Sequence, residues 1–596
     1  MNKGILSFLF FIFSLLPAQQ KSVQIAFLSD VHFQDLYGNF SDHDFKGIFN
    51  SKTGKQTILR TMDAQLHSTR IFNENYFAFL KALDDIALKG IKIIAMPGDF
   101  SDDGQAYNLR GLHKILDQYH KKYGIDFYLT TGNHDPVGPF RQDAGKDNFL
   151  GEDGSPLGIY SKENMGKVKN KVITKDIAES GYLEILHELK DFGFYPQKEN
   201  LFWSTPFNFQ SVKNYSYEKA LRSADYSQRM YEVSKGFSVP DMSYVVEPVK
   251  GIWMVAIDGN TYIPKNANEN PNIPSNYKGA SIGYNNVLTH KKHLIEWIKK
   301  ITQEAKVNGK TVIAFTHYPM IDFNDGATNE IKKLLGEKKW QLERVPEEDV
   351  AEAFAENGLQ IHFAGHMHIN DTGIIKKEGK ILVNIQVPSL AAYLPAYKIL
   401  TIQSPDKMEV RTEVLNKVPY FDALFPLYEK EYAALEKGKN KIIWNRDILQ
   451  SKSYHDFMLF HLKELVRLRM IPDDWPKDFI EKVQHLNGED LLLFIFNQNQ
   501  LKEKNIHSAN FRTWTFEDVL LDLYKFQSAD ELAKKDIPKE RLQQYEILEK
   551  LYQENQSQDS FLLQLQSVFK ILKLLSNGDP ADHFEIDLKK QEIRKL

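Results

Sequence analysis

Seven residues of metal-binding type stand at five places in this chain, each directly after a short apolar run: Asp30 with His32, Asp99, Asn133, His317, and His366 with His368. Two divalent cations held side by side need such a set: imidazole and carboxylate donors, one carboxylate able to bridge, and open positions for water and substrate. Asp30 and His32 lie two apart, so on an extended segment both side chains leave one face and can bind one cation. His366 and His368 repeat that spacing and can each serve a different ion. Asp99 follows Gly98, where the backbone can come close and the carboxylate can bridge. Asn133 offers a neutral amide oxygen, and His317 completes the set from another segment. The sequence has no cysteine, which excludes thiolate ligands, a thiol nucleophile and disulfides.

The elements that must position these residues are short strands. Residues 23–28 (VQIAFL) are apolar, β-branched and aromatic, as in a buried strand, and end at Ser29-Asp30-Val31-His32. A helix-period stretch over 72–88 leads to a second run, 91–96, that stops at Pro97-Gly98-Asp99. The same pattern recurs at 126–129 before Gly132-Asn133-His134-Asp135, at 311–315 before His317, and at 359–364 before Gly365-His366-Met367-His368. A sixth run, 252–257, ends at Asp258. Strands alternating with helices predict an α/β core, in which sites gather at the carboxyl ends of strands.

The order D-x-H, G-D, G-N-H-D, a lone histidine after a strand and G-H-x-H resembles the calcineurin-like metallophosphoesterase superfamily over roughly residues 22–410. The resemblance implies a β-sandwich of two mixed sheets flanked by helices. It also implies that Asp30, His32, Asp99 and His368 hold a first metal, and Asp99, Asn133, His317 and His366 a second. These donors suit Mn, Fe or Zn, alone or combined as a mixed-valence pair. A hydroxide bridging the two ions would attack phosphorus in line with the leaving oxygen. His134 would donate a hydrogen bond or proton to the phosphate or leaving group, with Asp135 orienting its ring.

Departures from sub-family patterns narrow the expected substrate. The segment from Gly98 through Asp103 to Gly104 lacks the arginine of the Ser/Thr protein phosphatase branch, and Asp135 stands where that branch has Glu. Asp102 stands where purple acid phosphatases carry a tyrosine ligand. The remaining likeness is to a bacterial and extracellular phosphodiesterase-like group. A phosphodiesterase is the favoured expectation. A phosphomonoesterase on nucleotides or small phosphates, an envelope lipid phosphodiesterase resting on a membrane, and a non-enzymatic scaffold are the rivals.

Length and composition set the frame. A chain of 596 residues exceeds one ordinary domain. We expect a metallophosphoesterase domain over 21–414, with insertions at about 36–70 and 136–248, then an α-helical region over 415–596. Met-Asn-Lys followed by an apolar run at 5–16 reads as a signal peptide over 1–20, hence export to the periplasm or outside the cell. The formal charge of −4 argues against a nucleic-acid partner bound through bulk positive charge. The sequence specifies no oligomeric state. His362, in mid-strand, reads as a core residue, and Ser41-Asp42-His43-Asp44 as a solvated loop. Asp258, Asn260, Tyr262 and residues 387–390 could line the pocket. The histidines beyond 450 have no ligand-like spacing, and the run at 491–496 reads as buried.

Overall fold

The computed structural model describes residues 22–437 and 444–596, so the expected signal at 1–20 lies outside the described residues. Two seven-stranded mixed sheets dominate. The first contains β1 (Val23–Phe27), β2 (Ile93–Pro97) and β3 (Asp126–Thr130), which run parallel. The second contains β4 (Phe202–Ser204), β5 (Tyr244–Val249), β6 (Ile252–Ile257), β7 (Thr311–Thr316), β8 (Ile361–Ala364), β9 (Asp371–Lys377) and β10 (Lys380–Gln386). The first sheet continues antiparallel through β11 (Ala396–Ser404), β12 (Lys407–Val414), β13 (His583–Asp587) and β14 (Glu592–Lys595). The spatial orders are β14-β13-β12-β11-β1-β2-β3 and β9-β10-β8-β7-β6-β5-β4.

Side-chain alternation makes these sheets a sandwich. On β6, Met254 and Ala256 face the core between the sheets, whereas Trp253, Val255 and Ile257 face the helices Lys292–Val307 and Glu348–Glu356. Across the sandwich the Phe27 and Phe363 rings stack at 3.6 Å. The outer face of the first sheet is covered by the helices Asn75–Leu88 and Ala106–Tyr123. Each such aromatic or aliphatic side chain, removed from water, contributes about 1.5–3 kcal/mol. The mixed α/β fold with flanking helices is as the resemblance implied.

Both insertions are structured. The first holds a hairpin (Ile48–Asn50 with Lys55–Thr57) and the helix Met62–Leu66, and the second a small sheet (Gly145–Leu150, Pro156–Tyr160, Lys171–Ile173). Phe40 and Ile58 of the first insertion pack with Phe149, Leu157, Ile159 and Val172 of the second. The Ser41–Asp44 loop is tied down as well, because Asp42 Oδ2 accepts from the Lys175 N–H at 2.9 Å.

Beyond Val414 the chain is mainly helical, with long helices at Phe425–Lys437, Tyr454–Leu465, Phe516–Ala529, Lys539–Glu554 and Ser560–Leu575. It is not helical to its end. In His583–Asp587 the apolar residues Phe584 and Ile586 alternate with polar ones and pair with β12, so within the mainly helical region residues 583–595 return to the first sheet. That alternation is too short to stand out from the sequence. The helical region docks on the sandwich rather than standing apart. Tyr428, Tyr454 and Phe457 belong to the sandwich core, and Glu431 accepts from the N–H groups of Met62 (2.7 Å) and Asp63 (3.2 Å), capping the insertion helix. The run at 491–496 is only half as expected: Leu491 and Leu492 are buried, but Leu493 and Phe494 are each 43% exposed. Among the described residues no helix is long and apolar enough to cross a membrane.

Candidate metal centre

All seven residues gather between the carboxyl ends of the two sheets. Asp30 Oδ1 lies 3.4 Å from His368 Nε2, and His368 Nε2 lies 3.1 Å from His32 Nε2. Asp99 Oδ2 lies 3.2 Å from His317 Nε2 and 3.8 Å from His32 Nε2, so this carboxylate stands between the two halves. His317 Nε2 is 3.1 Å from both Asn133 Oδ1 and His366 Nδ1. The donor atoms of Asp30, His32 and His368 fall within 4.8 Å of one another, as do those of Asp30, Asp99 and His317.

The backbone reaches this arrangement in a way the spacing did not indicate. Asp30, His32, Asp99, His366 and His368 all have positive φ, between 44° and 73°. Asp30 and His32 therefore converge because the chain turns sharply at the strand end, not because an extended segment presents one face. Non-glycine residues in that region carry strain, which clusters at functional sites. Glycine makes the close packing feasible: a Cβ on Gly132 would lie 2.2 Å from Asp99 Oδ1, and one on Gly365 only 1.8 Å from Ser29 Oγ.

The donor set fits cations. His317 Nδ1 donates to Pro97 O (3.0 Å), His366 Nε2 to Ser281 O (2.9 Å) and His368 Nδ1 to Thr69 O (3.3 Å). In each ring the other nitrogen is thereby left as an acceptor aimed at the cluster. Imidazole lone pairs 3.1 Å apart beside carboxylates are what a shared cation would bind. Burial and then the Arg70 charge hold His32 well below its usual range, and burial and then the Arg344 charge do the same for His366. Neutral imidazoles are the form that ligates metal. Burial alone would raise the Asp99 carboxyl, but the neighbouring His317 and then His134 rings outweigh it, so the group lies well below its usual range.

His134 stands over the cluster, its ring edge-on to His32 at 5.1 Å. Its backbone N–H donates to Asp99 Oδ1 at 2.8 Å, and its Nδ1 is bonded to Asp103. Asp135 does not orient this ring, which corrects the sequence expectation. Its side chain turns the opposite way, into the interior, where Oδ2 accepts from the Ser101 N–H at 2.6 Å. Burial and then the Asp99 charge raise the Asp135 carboxyl well above its usual range, and its bond to Ser101 makes it a structural tie.

Several residues around the site escaped sequence reasoning. Arg70, at the end of the first insertion, bonds Asp102 at 3.1 Å and lies 3.5 Å from His134 Nδ1. Lys146, from the second insertion, pairs with Asp103. A cleft of about 250 Å³ opens above the cluster, lined on its far side by Leu465, Arg469, Met470, Tyr524 and Gln527 of the helical region. No local spacing marks these positions, since docking alone brings them there. Of the other candidates, Asn260 is buried and donates to Gly132 O (2.8 Å), Ser389 Oγ donates to Asp30 O (2.7 Å), and Asp258 lies beside buried Lys291. They support the site from beneath rather than lining it. His362 is a core residue bonded to Asn384 Oδ1 at 2.7 Å.

The sequence matches the family model for calcineurin-like phosphoesterases over residues 23–370. A search of curated proteins finds no match. Similar solved structures include a dimetal phosphatase from Danio rerio, at 10% identity and TM-score 0.31, covering 65% of this chain and 95% of that one. Another is a purple acid phosphatase isolated from yellow lupin (Lupinus luteus) seeds, at 10% identity and TM-score 0.28, covering 66% of this chain and 52% of that one. The matched family implies a dinuclear metal centre and a phosphate-ester substrate. Since that match spans more than half of the chain, from β1 through the turn that carries His368, the protein belongs to the calcineurin-like phosphoesterases and is a hydrolytic phosphoesterase.

Proposed function

We propose that this phosphoesterase is an exported phosphodiesterase. Asp30, His32, Asp99 and His368 would hold one cation, and Asp99, Asn133, His317 and His366 the other. Two such cations, when bound, acidify water and offset charge on phosphoryl oxygens. His134 has its Nδ1 engaged by Asp103, which leaves Nε2 to give a proton to the leaving oxygen. Arg70 is bonded to Asp102 and lies near Asp103, so much of its charge is already matched. A diester, with one negative charge on its phosphate, asks less of such a site than a dianionic monoester.

The observation that carries the reading is the cleft itself. It extends from His134 to the wall of Leu465, Met470 and Tyr524, which gives a second ester substituent a surface to rest on. Export rests on the apolar run at 5–16. The test is hydrolysis of bis(p-nitrophenyl) phosphate against p-nitrophenyl phosphate after loading with Mn, Zn or Fe. A higher kcat/KM for the diester is expected, and a strong monoester preference would overturn the proposal.

A further inference from the structure

Three arginines line the cleft, and they are not equivalent. Arg70 is bonded to Asp102. Arg469 donates to His67 O at 3.2 Å and faces Asp473 at 3.6 Å. The half-buried Arg344 guanidinium, among the described residues, has neither a hydrogen-bond nor an ion-pair partner. Partial burial already disfavours its charged form, opposed by Glu343 and more weakly by Asp99, neither of which is in ion-pair contact. Yet arginine stays charged in proteins. A desolvated charge without a counterion is a costly feature, and here it faces the floor of a reaction cleft.

The chain holds Arg344 there firmly. Trp340 and Gln341, just before it, both adopt left-handed backbone, at φ 56° and 55°. The helical region secures that turn: Trp340 N–H donates to Asp474 Oδ1 at 3.1 Å, and its ring stacks on Tyr524 at 4.6 Å. Arg344 N–H closes the turn on Gln341 O at 2.9 Å. Next to Arg344, Val345 O accepts from Asn285 Nδ2 at 2.9 Å, and Ser281 O of that same segment accepts from His366 Nε2 at 2.9 Å, so Arg344 stands on the His366 side of the cleft, whereas His134 stands on the His32 side. An anion held by Arg344 is therefore not the leaving group that His134 would protonate.

We infer that Arg344 is a specificity residue that binds a second anionic group, a carboxylate or phosphate, on the substituent that stays with phosphorus. The substrate class becomes a phosphodiester with an acidic group on its retained arm. This rests on the diester reading above. Guanidinium suits the role because it can hold an oxyanion through two parallel hydrogen bonds.

The experiment compares p-nitrophenyl phenyl phosphate with p-nitrophenyl 4-carboxyphenyl phosphate, which differ only in that second anion. The wild-type enzyme should favour the carboxyl compound roughly tenfold in kcat/KM, mainly through KM. In Arg344→Gln that ratio should fall to near one, and in Arg344→Lys it should partly return. A wild-type ratio near one, or a ratio unchanged in Arg344→Gln, would overturn the inference. Calorimetric binding of phenylphosphonate and 4-carboxyphenylphosphonate to the metal-loaded protein reads the same contact without turnover. If neither diester is cleaved, the diester reading fails, and a tenfold tighter carboxyl probe, lost in Arg344→Gln, still supports Arg344 as an anion site. Equal binding of the two probes by the wild-type protein would overturn it.

Discussion

Asp103 is bonded to Nδ1 of His134, so the ring over the metal cluster is held by a carboxylate from the turn that also carries Asp99. Burial would raise the Asp103 carboxyl, but the Lys146 and then His134 charges hold it well below the usual range. Asp103 thus holds the ring by Nδ1 and leaves Nε2 as the nitrogen free to meet the leaving oxygen.

Asp103→Asn should therefore slow cleavage of diesters with alkoxide leaving groups by roughly 10²-fold, in keeping with loss of a general acid. Diesters that release p-nitrophenolate, which departs unprotonated, should lose much less. Plotting log kcat/KM against leaving-group pKa for wild type and variant checks this, and parallel lines would refute it.

Asp135→Asn should behave differently. The Ser101 N–H can still be accepted by the amide oxygen, so the leaving-group dependence should match wild type. Thermal stability should change by about 1 kcal/mol, the scale of one buried hydrogen bond. A steeper leaving-group slope in this variant would return Asp135 to the chemistry.

Gly365→Ala and Gly132→Ala should each disrupt the cluster, since the added Cβ meets Ser29 Oγ at 1.8 Å or Asp99 Oδ1 at 2.2 Å. Bound metal per chain should fall, and kcat/KM should drop on the order of 10²-fold, as displacements near 1 Å do. Gly279→Ala is the control, because nothing lies within 4 Å of a Cβ there. Elemental analysis and kinetics on the three variants decide the matter.

Chelation should abolish activity and lower the unfolding temperature, because cations that bind only the folded chain stabilise it. The effect is about 2.7 kcal/mol at a concentration one hundredfold above Kd. Calorimetric scans with and without Mn, Zn or Fe measure it, and an unchanged Tm would argue against a site in these donors.

Stability should also fall between about pH 4.5 and 7. Burial pushes Glu74, bonded to Tyr428 at 2.7 Å, and Glu431, which caps Met62–Leu66, up to about 7. Both folded values lie above the unfolded one, so across this window the folded state holds protons that the unfolded state has lost. Stability then declines as pH rises and levels off above 7. Glu74→Gln should flatten part of that decline, on the order of 2 kcal/mol. Urea melts at pH 5 and 7.5 give the comparison.

Much of the site was legible because its chemistry is local. A strand of buried residues ending in Gly-Asp or Gly-His-Met-His announces both the element and its polar tip. Asp99 and His366 could be singled out without knowing how the sheets pack. The positive φ that makes Asp30 and His32 converge has no signature in residue type, since neither is glycine. Arg344 and the wall at Tyr524 are placed by docking between distant segments, which leaves no periodicity to read, and the Asp103–His134 bond joins two separate strand ends. The return of Phe584 and Ile586 to β12 was hidden by its brevity.

That return has a mechanical meaning. The helical region leaves the first sheet at β12 and rejoins it through β13, so the same sheet grips it at both ends. A body tethered twice cannot swing on a single hinge, so the Tyr524 wall behaves as a fixed jamb rather than a closing lid. Substrate should then enter and leave past a wall that keeps its place, and no closing motion of the helical region as one body should set the rate of turnover.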